Sequence, residues 1–217
     1  GRISDFELVE RQADRIRFSL KWTQESLKKY PWKFQLDIEY VLHDNQIEVI
    51  WTVQNLDDKE MIYSIGSHGA FRCPIVPGEK FEDCYLAFSE DEDAGNMQLD
   101  AKGQFQHGYG TAKLSGRKLA LNYEMFRNDA LAYDKQKSDT VSICSTKSDK
   151  KLTVTARDFP YWGFWTPDQG GAPFLCIEPW HGHADFVDFT GEFKDREGSE
   201  SLLPGNKQTF RYTIQIG

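Results

Sequence analysis

The strongest constraint on the fold is an alternation of apolar and polar residues with period two. In Arg15 to Trp22, RIRFSLKW, the side chains of Ile16, Phe18, Leu20 and Trp22 fall on one face, with Arg15, Arg17, Ser19 and Lys21 on the other. That is the pattern of a half-buried antiparallel strand. Two longer segments follow, FQLDIEYVL from Phe34 and QIEVIWTVQN from Gln46, joined by His43, Asp44 and Asn45, a polar connection short enough for a hairpin. Further strand candidates are MIYSIG, CYLAFS, KLALNY, ALAYDKQKS, TVSICST, KLTVTAR, PFLCIEP and the closing TFRYTIQIG, whereas only TQESLKKY, Thr23 to Tyr30, suggests more than one helical turn. Roughly ten strands with almost no helix predict an all-β chain, a large antiparallel β-sandwich of two facing sheets. Turn-forming residues cluster between strands, as in TPDQGGAP from Thr166 to Pro173, and neither a low-complexity linker nor a repeat interrupts the pattern. One domain over residues 1–217 is the expectation.

A chain of 217 residues buries roughly 70% of its unfolded surface, and a hydrophobic share of 39% with 14% aromatic residues is globular, not disordered. The formal net charge of -8, with no basic cluster beyond short runs such as Lys147 to Lys151, argues against a nucleic-acid partner. No window approaches ~20 consecutive apolar residues, and the first residues, GRISDFELVE, lack the apolar core of a signal peptide. No membrane partner is therefore expected, and a cytoplasmic location is. Cys73, Cys84, Cys144 and Cys176 are scattered, with no CxxC pair and no histidine at metal-finger spacing. Reduced cysteines are expected, without a sequence-encoded zinc or redox motif.

The candidate chemistry begins at CIEPW, Cys176 to Trp180, where Glu178 sits inside the apolar run GAPFLCIEPWHG. An ionised carboxylate leaves water at high cost unless it is paired or hydrogen-bonded. Desolvation would raise its pKa toward neutrality, where a carboxylate makes an efficient base; a structural pair with a cation across the sheet would also explain it. His68, in SIGSHGAF, stands between the small residues Ser67 and Gly69, which would let a ligand approach the imidazole. A satisfied core histidine is the other reading. If the two converge they suit proton removal at one atom and delivery at another. No GxSxG elbow supports acyl transfer, and neither GxxxxGK[ST] nor GxGxxG supports phosphate binding. Trp162 and Trp165 in FPYWGFW, with Trp180, could present aromatic faces to a sugar or could fill a core. Asp129 and Asp134 in NDALAYD are candidate hydroxyl acceptors or surface turn residues.

Taken together, SIGSHGAFRCP, NDALAYDKQKS, FPYWGFW, GAPFLCIEPW and DFTGEFKDREGSESLLPG resemble, in order and spacing, the aldose 1-epimerase (mutarotase) family, in particular its lactose-operon-associated branch. The resemblance spans essentially the whole chain. It implies a galactose-mutarotase-like β-supersandwich acting on a small-molecule sugar, a hexose or derivative, without metal or organic cofactor. By the same resemblance, His68 is the general acid toward the ring oxygen and Glu178 the base toward the anomeric hydroxyl. An aspartate that holds sugar hydroxyls is best matched by Asp129 and next by Asp134. Two departures stand out. The family has Gly and Pro around the histidine where this chain has Ser67 and Gly69. Family members also carry further N-terminal strands, with an arginine and a histidine that bind sugar, and GRISDFELVE reads as the segment after them. A non-catalytic carbohydrate-binding or regulatory module on the same fold is the alternative these departures raise.

Overall fold

The computed structural model describes residues 3–167 and 170–217. Asp168 and Gln169, inside the turn expected over Thr166 to Pro173, and the first two residues of GRISDFELVE lie outside the described residues. No helix among the described residues is long and apolar enough to cross a membrane. The chain folds as two compact units, one built from residues up to Tyr63 and from Glu200–Gln215, the other from Ser64–Ser199 and the last two residues.

In the first unit the strands Glu7–Arg11, Arg15–Lys21, Phe34–His43, Gln46–Asn55 and Lys207–Ile216 form successive antiparallel pairs. The expected hairpin forms, but His43 pairs with Gln46, so the loop is only Asp44 and Asn45. Asp44 closes it with φ 49, in the left-handed region. Aspartate tolerates that region because its short side chain bonds locally, whereas a β-branched residue is strained there. Asp44→Val is expected to cost about 1–2 kcal/mol in urea unfolding, with Asp44→Asn near neutral; equal midpoints for the two variants would show that the turn carries no such strain. Along Gln46–Asn55 the alternate residues Val49, Trp51 and Val53 are buried, and the Trp51 ring meets Tyr212 edge-on at 5.3 Å. At the strand's end the fully buried Asn55 donates to the carbonyls of Lys59 and Leu202 and accepts from the Asp57 amide, so burial leaves its amide satisfied. The helix expected from Thr23 to Tyr30 shrinks to Gln24–Leu27, capped by Thr23, whose side chain accepts from the Ser26 amide. Helix-like bonds run on from the Lys29 and Tyr30 amides to the Ser26 carbonyl, and Pro31, which disfavours an α-conformation at Tyr30, limits any continuation beyond that turn.

The second unit is a sandwich. One layer runs antiparallel through Leu152–Thr155, Thr140–Ser145, Cys84–Ala94 and Leu114–Ala120. The other orders Phe105–Tyr109, Met97–Leu99, Leu131–Tyr133, Tyr161–Trp165 and Phe174–His181, with Ile65–Gly66 and Gly69–Arg72 both pairing with the last. Phe88 of the first layer meets Phe164 of the second at 6.1 Å, edge to face. Val141, Ile143, Val154, Phe164, Leu175 and Ile177 are buried between or beside them. Fully burying such side chains contributes about 1.5–3 kcal/mol each, and this layer holds the strand that carries Glu178.

Candidate active site

Strand parity decides which residues can meet. Side chains two apart share a face, so Leu175 and Ile177 point with Phe164 into the core while Cys176, Glu178 and Trp180 point to the other side. Both faces of Phe174–His181 are covered, which explains the near-continuous apolar run around the glutamate. On one flank Gly163 pairs with Glu178. On the other flank the pairs Ile177↔Gly69 and Trp180↔Gly66 keep one register across a break in the ladder. His68 therefore stands opposite Glu178, in the interruption between two short strands. Its Nδ1 lies 3.3 Å from Glu178 Oε1, with the imidazole 65% exposed and the carboxylate 5% exposed. The His68 ring also meets Trp165 edge-on at 6.1 Å.

Trp180 orders the site through close packing and one N–H. A Cβ at Gly163 would lie 2.2 Å from Trp180 Cζ2, and one at Gly66 would lie 2.5 Å from Cδ1. The indole thus rests across two neighbouring strands at positions where only glycine fits. In that seat its Nε1 donates both to the Ser67 carbonyl at 3.2 Å and to Glu178 Oε2 at 3.3 Å. One carboxylate oxygen is held by tryptophan while the other faces histidine.

Burial pushes the Glu178 carboxyl up to about 7, with the nearby Asp129 charge adding to the rise and the Trp180 and Cys176 hydrogen bonds opposing it. Burial pushes the neighbouring Cys176 thiol up to about 12, reinforced by the Glu178 charge. Both groups gain by staying protonated where water is scarce.

A groove of about 350 Å³ opens along the Trp180 indole and is lined also by Ser64, Phe105, Asp129 and His183, a size suited to a small ligand. Glu178 and His68 adjoin it through Trp180 and do not line it. Asp129 adopts φ 80 and its Oδ1 accepts from the Ala130 amide. This local bond lets the aspartate hold the left-handed region, as Asp44 does in its turn. Asp134 is placed elsewhere, accepting from the Tyr109 hydroxyl at 3.0 Å, and is not among the groove residues. Trp162 is a correction of the sequence expectation: it is 2% exposed, on the core face with Phe164, where no sugar reaches. A further cavity of about 410 Å³ is bordered by His107 and by Asp188, Gly191 and Glu197 of DFTGEFKDREGSESLLPG, and contains none of the candidate catalytic or sugar-binding residues.

Sequence reasoning noted Cys176 but gave it no part in the site. The structure brings its sulfur, a His68 ring nitrogen and a Glu178 oxygen within 4.8 Å of one another. The spacing of two between Cys176 and Glu178 was the available signal. Gly163 and Gly66 were missed because only the fold shows what lies over them. All four cysteines are free.

Comparison with known proteins follows the same lines. A family model described as aldose 1-epimerase matches residues 1–199. The chromosomal protein LacX of Lactococcus lactis subsp. lactis is 34% identical, over 99% of this chain and 73% of that protein. The crystal structure of a galactose mutarotase related enzyme from Lactobacillus acidophilus is 30% identical, with a TM-score of 0.91 over 100% of this chain and 72% of its own. A galactose mutarotase-like protein from Lactobacillus casei, at 22% identity, shares the fold, with a TM-score of 0.89 over 98% of this chain and 73% of its own. The all-β sandwich is therefore the galactose mutarotase-like fold, and the chain belongs to the aldose 1-epimerase family.

Proposed function

We propose that the protein interconverts the α and β anomers of a hexose, with Glu178 as general base and His68 as general acid. The observation that carries the reading is the 3.3 Å approach of His68 Nδ1 to Glu178 Oε1. Ring opening needs a proton removed from the anomeric hydroxyl and one delivered to the ring oxygen, and both oxygens are bonded to the same carbon. Acid and base must therefore stand close together, and the approach of His68 to Glu178 supports that arrangement. Glu178 takes the hydroxyl proton, the C1–O1 bond becomes a carbonyl, the C1–O5 bond breaks, and His68 supplies the proton to O5. Rotation about C1–C2 presents the other carbonyl face. Closure reverses both proton transfers and regenerates the starting protonation states. Trp180 offers an apolar face for the sugar ring, and Asp129 offers a carboxylate to its hydroxyls.

The reading is tested by exchange spectroscopy on α-glucose and α-galactose, where the protein should accelerate anomer exchange above buffer. Sugar binding without acceleration would instead favour a non-catalytic binding module. A base that titrates near 7 also fixes the pH dependence. Glu178 is inactive while protonated, so kcat/KM should fall about tenfold per pH unit below 7 and level off above it on the base limb. A profile that stays flat down to pH 5 would remove Glu178 as the base.

A further inference from the structure

We propose that His68, Cys176 and Glu178 form a binding site for a borderline-soft divalent cation, Zn²⁺ or Co²⁺, and that its occupancy switches the anomer-exchanging site off. The three candidate donor atoms lie within 4.8 Å of one another, and His68 Nδ1 is 3.3 Å from Glu178 Oε1. Tetrahedral zinc, with bonds of about 2.0–2.3 Å, holds its ligand atoms roughly 3.3–3.8 Å apart. The histidine and glutamate already stand at that spacing, and the sulfur, within 4.8 Å of both, needs to close by no more than roughly 1.3 Å.

The donor set determines the kind of ion. One thiolate, one imidazole and one carboxylate select zinc-like ions over magnesium or calcium, which prefer all-oxygen shells. A thiolate and a carboxylate together neutralise a divalent charge, which matters for a site where Cys176 and Glu178 are buried. The second coordination layer is present as well: Trp180 Nε1 holds Glu178 Oε2 and leaves Oε1 to face the ion. His68, 65% exposed, gives the ion its route in, and three protein ligands leave a fourth position open to water. On binding, the Cys176 S–H bond is replaced by a metal–sulfur bond and its proton passes to bulk water.

Inhibition rests on the function proposed above, because the ion would occupy the Glu178 oxygen that takes the anomeric proton and the His68 nitrogen beside it. Binding does not rest on it. Protein stripped with EDTA and desalted is titrated with Co²⁺ alone. A thiolate-to-cobalt charge-transfer band with intense visible bands of tetrahedral cobalt is expected, saturating at one ion per chain. The band should vanish in Cys176→Ser and weaken at least about tenfold in affinity in His68→Gln, an exposed position where folding is not at stake. No band in the parent, or an undiminished band in either variant, overturns the site. Zn²⁺ should slow anomer exchange by the parent and EDTA should restore it; cobalt binding with exchange indifferent to Zn²⁺ overturns the inhibitory role. A parent with no anomer exchange to inhibit contradicts the proposed function, while the cobalt spectra still decide the site.

Discussion

Replacing Glu178 by glutamine is expected to slow anomer exchange by about 10²–10⁴-fold and, at pH 8, to make the protein more stable. The two effects share one cause. The carboxyl is held near 7 in the folded chain against 4.5 for the free side chain, chiefly by burial. Below pH 4.5 both folded and unfolded forms carry the proton and no penalty arises. Between pH 4.5 and 7 the unfolded chain ionises first, so stability declines as pH rises, and above 7 the full penalty is present, on the order of 3 kcal/mol. Glutamine keeps the shape and an acceptor for the Trp180 N–H but never ionises. Part of the gain is lost because a hydrogen bond to a neutral amide is weaker than one to a carboxylate. A net stabilisation of about 1–3 kcal/mol at pH 8, shrinking to near zero at pH 4.5, is the expected result of urea unfolding at the two pH values. A variant less stable than the parent at pH 8 would mean that the carboxylate is held by favourable partners, not buried against a cost.

Gly163→Ala should be damaging out of proportion to one methyl group. The added Cβ would sit 2.2 Å from Trp180 Cζ2 and 2.4 Å from Cη2, so the indole or the strand must move. Forcing extra volume into a packed site costs about 1–3 kcal/mol. Moving the indole also withdraws its Nε1 from Glu178 Oε2 and from the Ser67 carbonyl, which frees the carboxylate to turn and loosens the segment before His68. A misplacement near 1 Å can lower catalysis on the order of 10²-fold. Thermal melting and the exchange rate should both register the substitution; a variant as stable and as active as the parent would show that Trp180 does not depend on that seat.

The period-two patterns were enough to read the long strands and the hairpin, because alternation follows directly from which side of a sheet is wet. The strands Glu7–Arg11, Met97–Leu99, Phe105–Tyr109 and Glu200–Leu202 were missed, and ALAYDKQKS is a strand only over Leu131–Tyr133. The helix expected over Thr23 to Tyr30 was overestimated, since it is confined to Gln24–Leu27. The apolar run around Glu178 correctly marked a carboxylate out of water. Its pairing with His68 was not legible in spacing, because 110 residues separate them and only the register of three strands makes them neighbours. Parity explains the error at Trp162. In FPYWGFW the tryptophans at 162 and 165 lie on opposite faces, and which face meets Glu178 depends on the partner strand: Gly163 pairs with Glu178, which puts Trp165 on the site and Trp162 in the core. Cys176 was overlooked because a lone cysteine has no motif, although its offset of two from Glu178 placed it on the same face.

The most direct test of the central claim, that His68 and Glu178 act as one acid–base pair on the anomeric carbon, is anomer exchange measured for the parent, His68→Gln, Glu178→Gln and the double variant at pH 8. Groups that act as a unit lose their effect together. The parent should accelerate exchange, each single variant should fall toward the buffer rate, and the double variant should be no slower than the slower single. Undiminished exchange in Glu178→Gln, or losses that multiply in the double variant, would contradict the pairing.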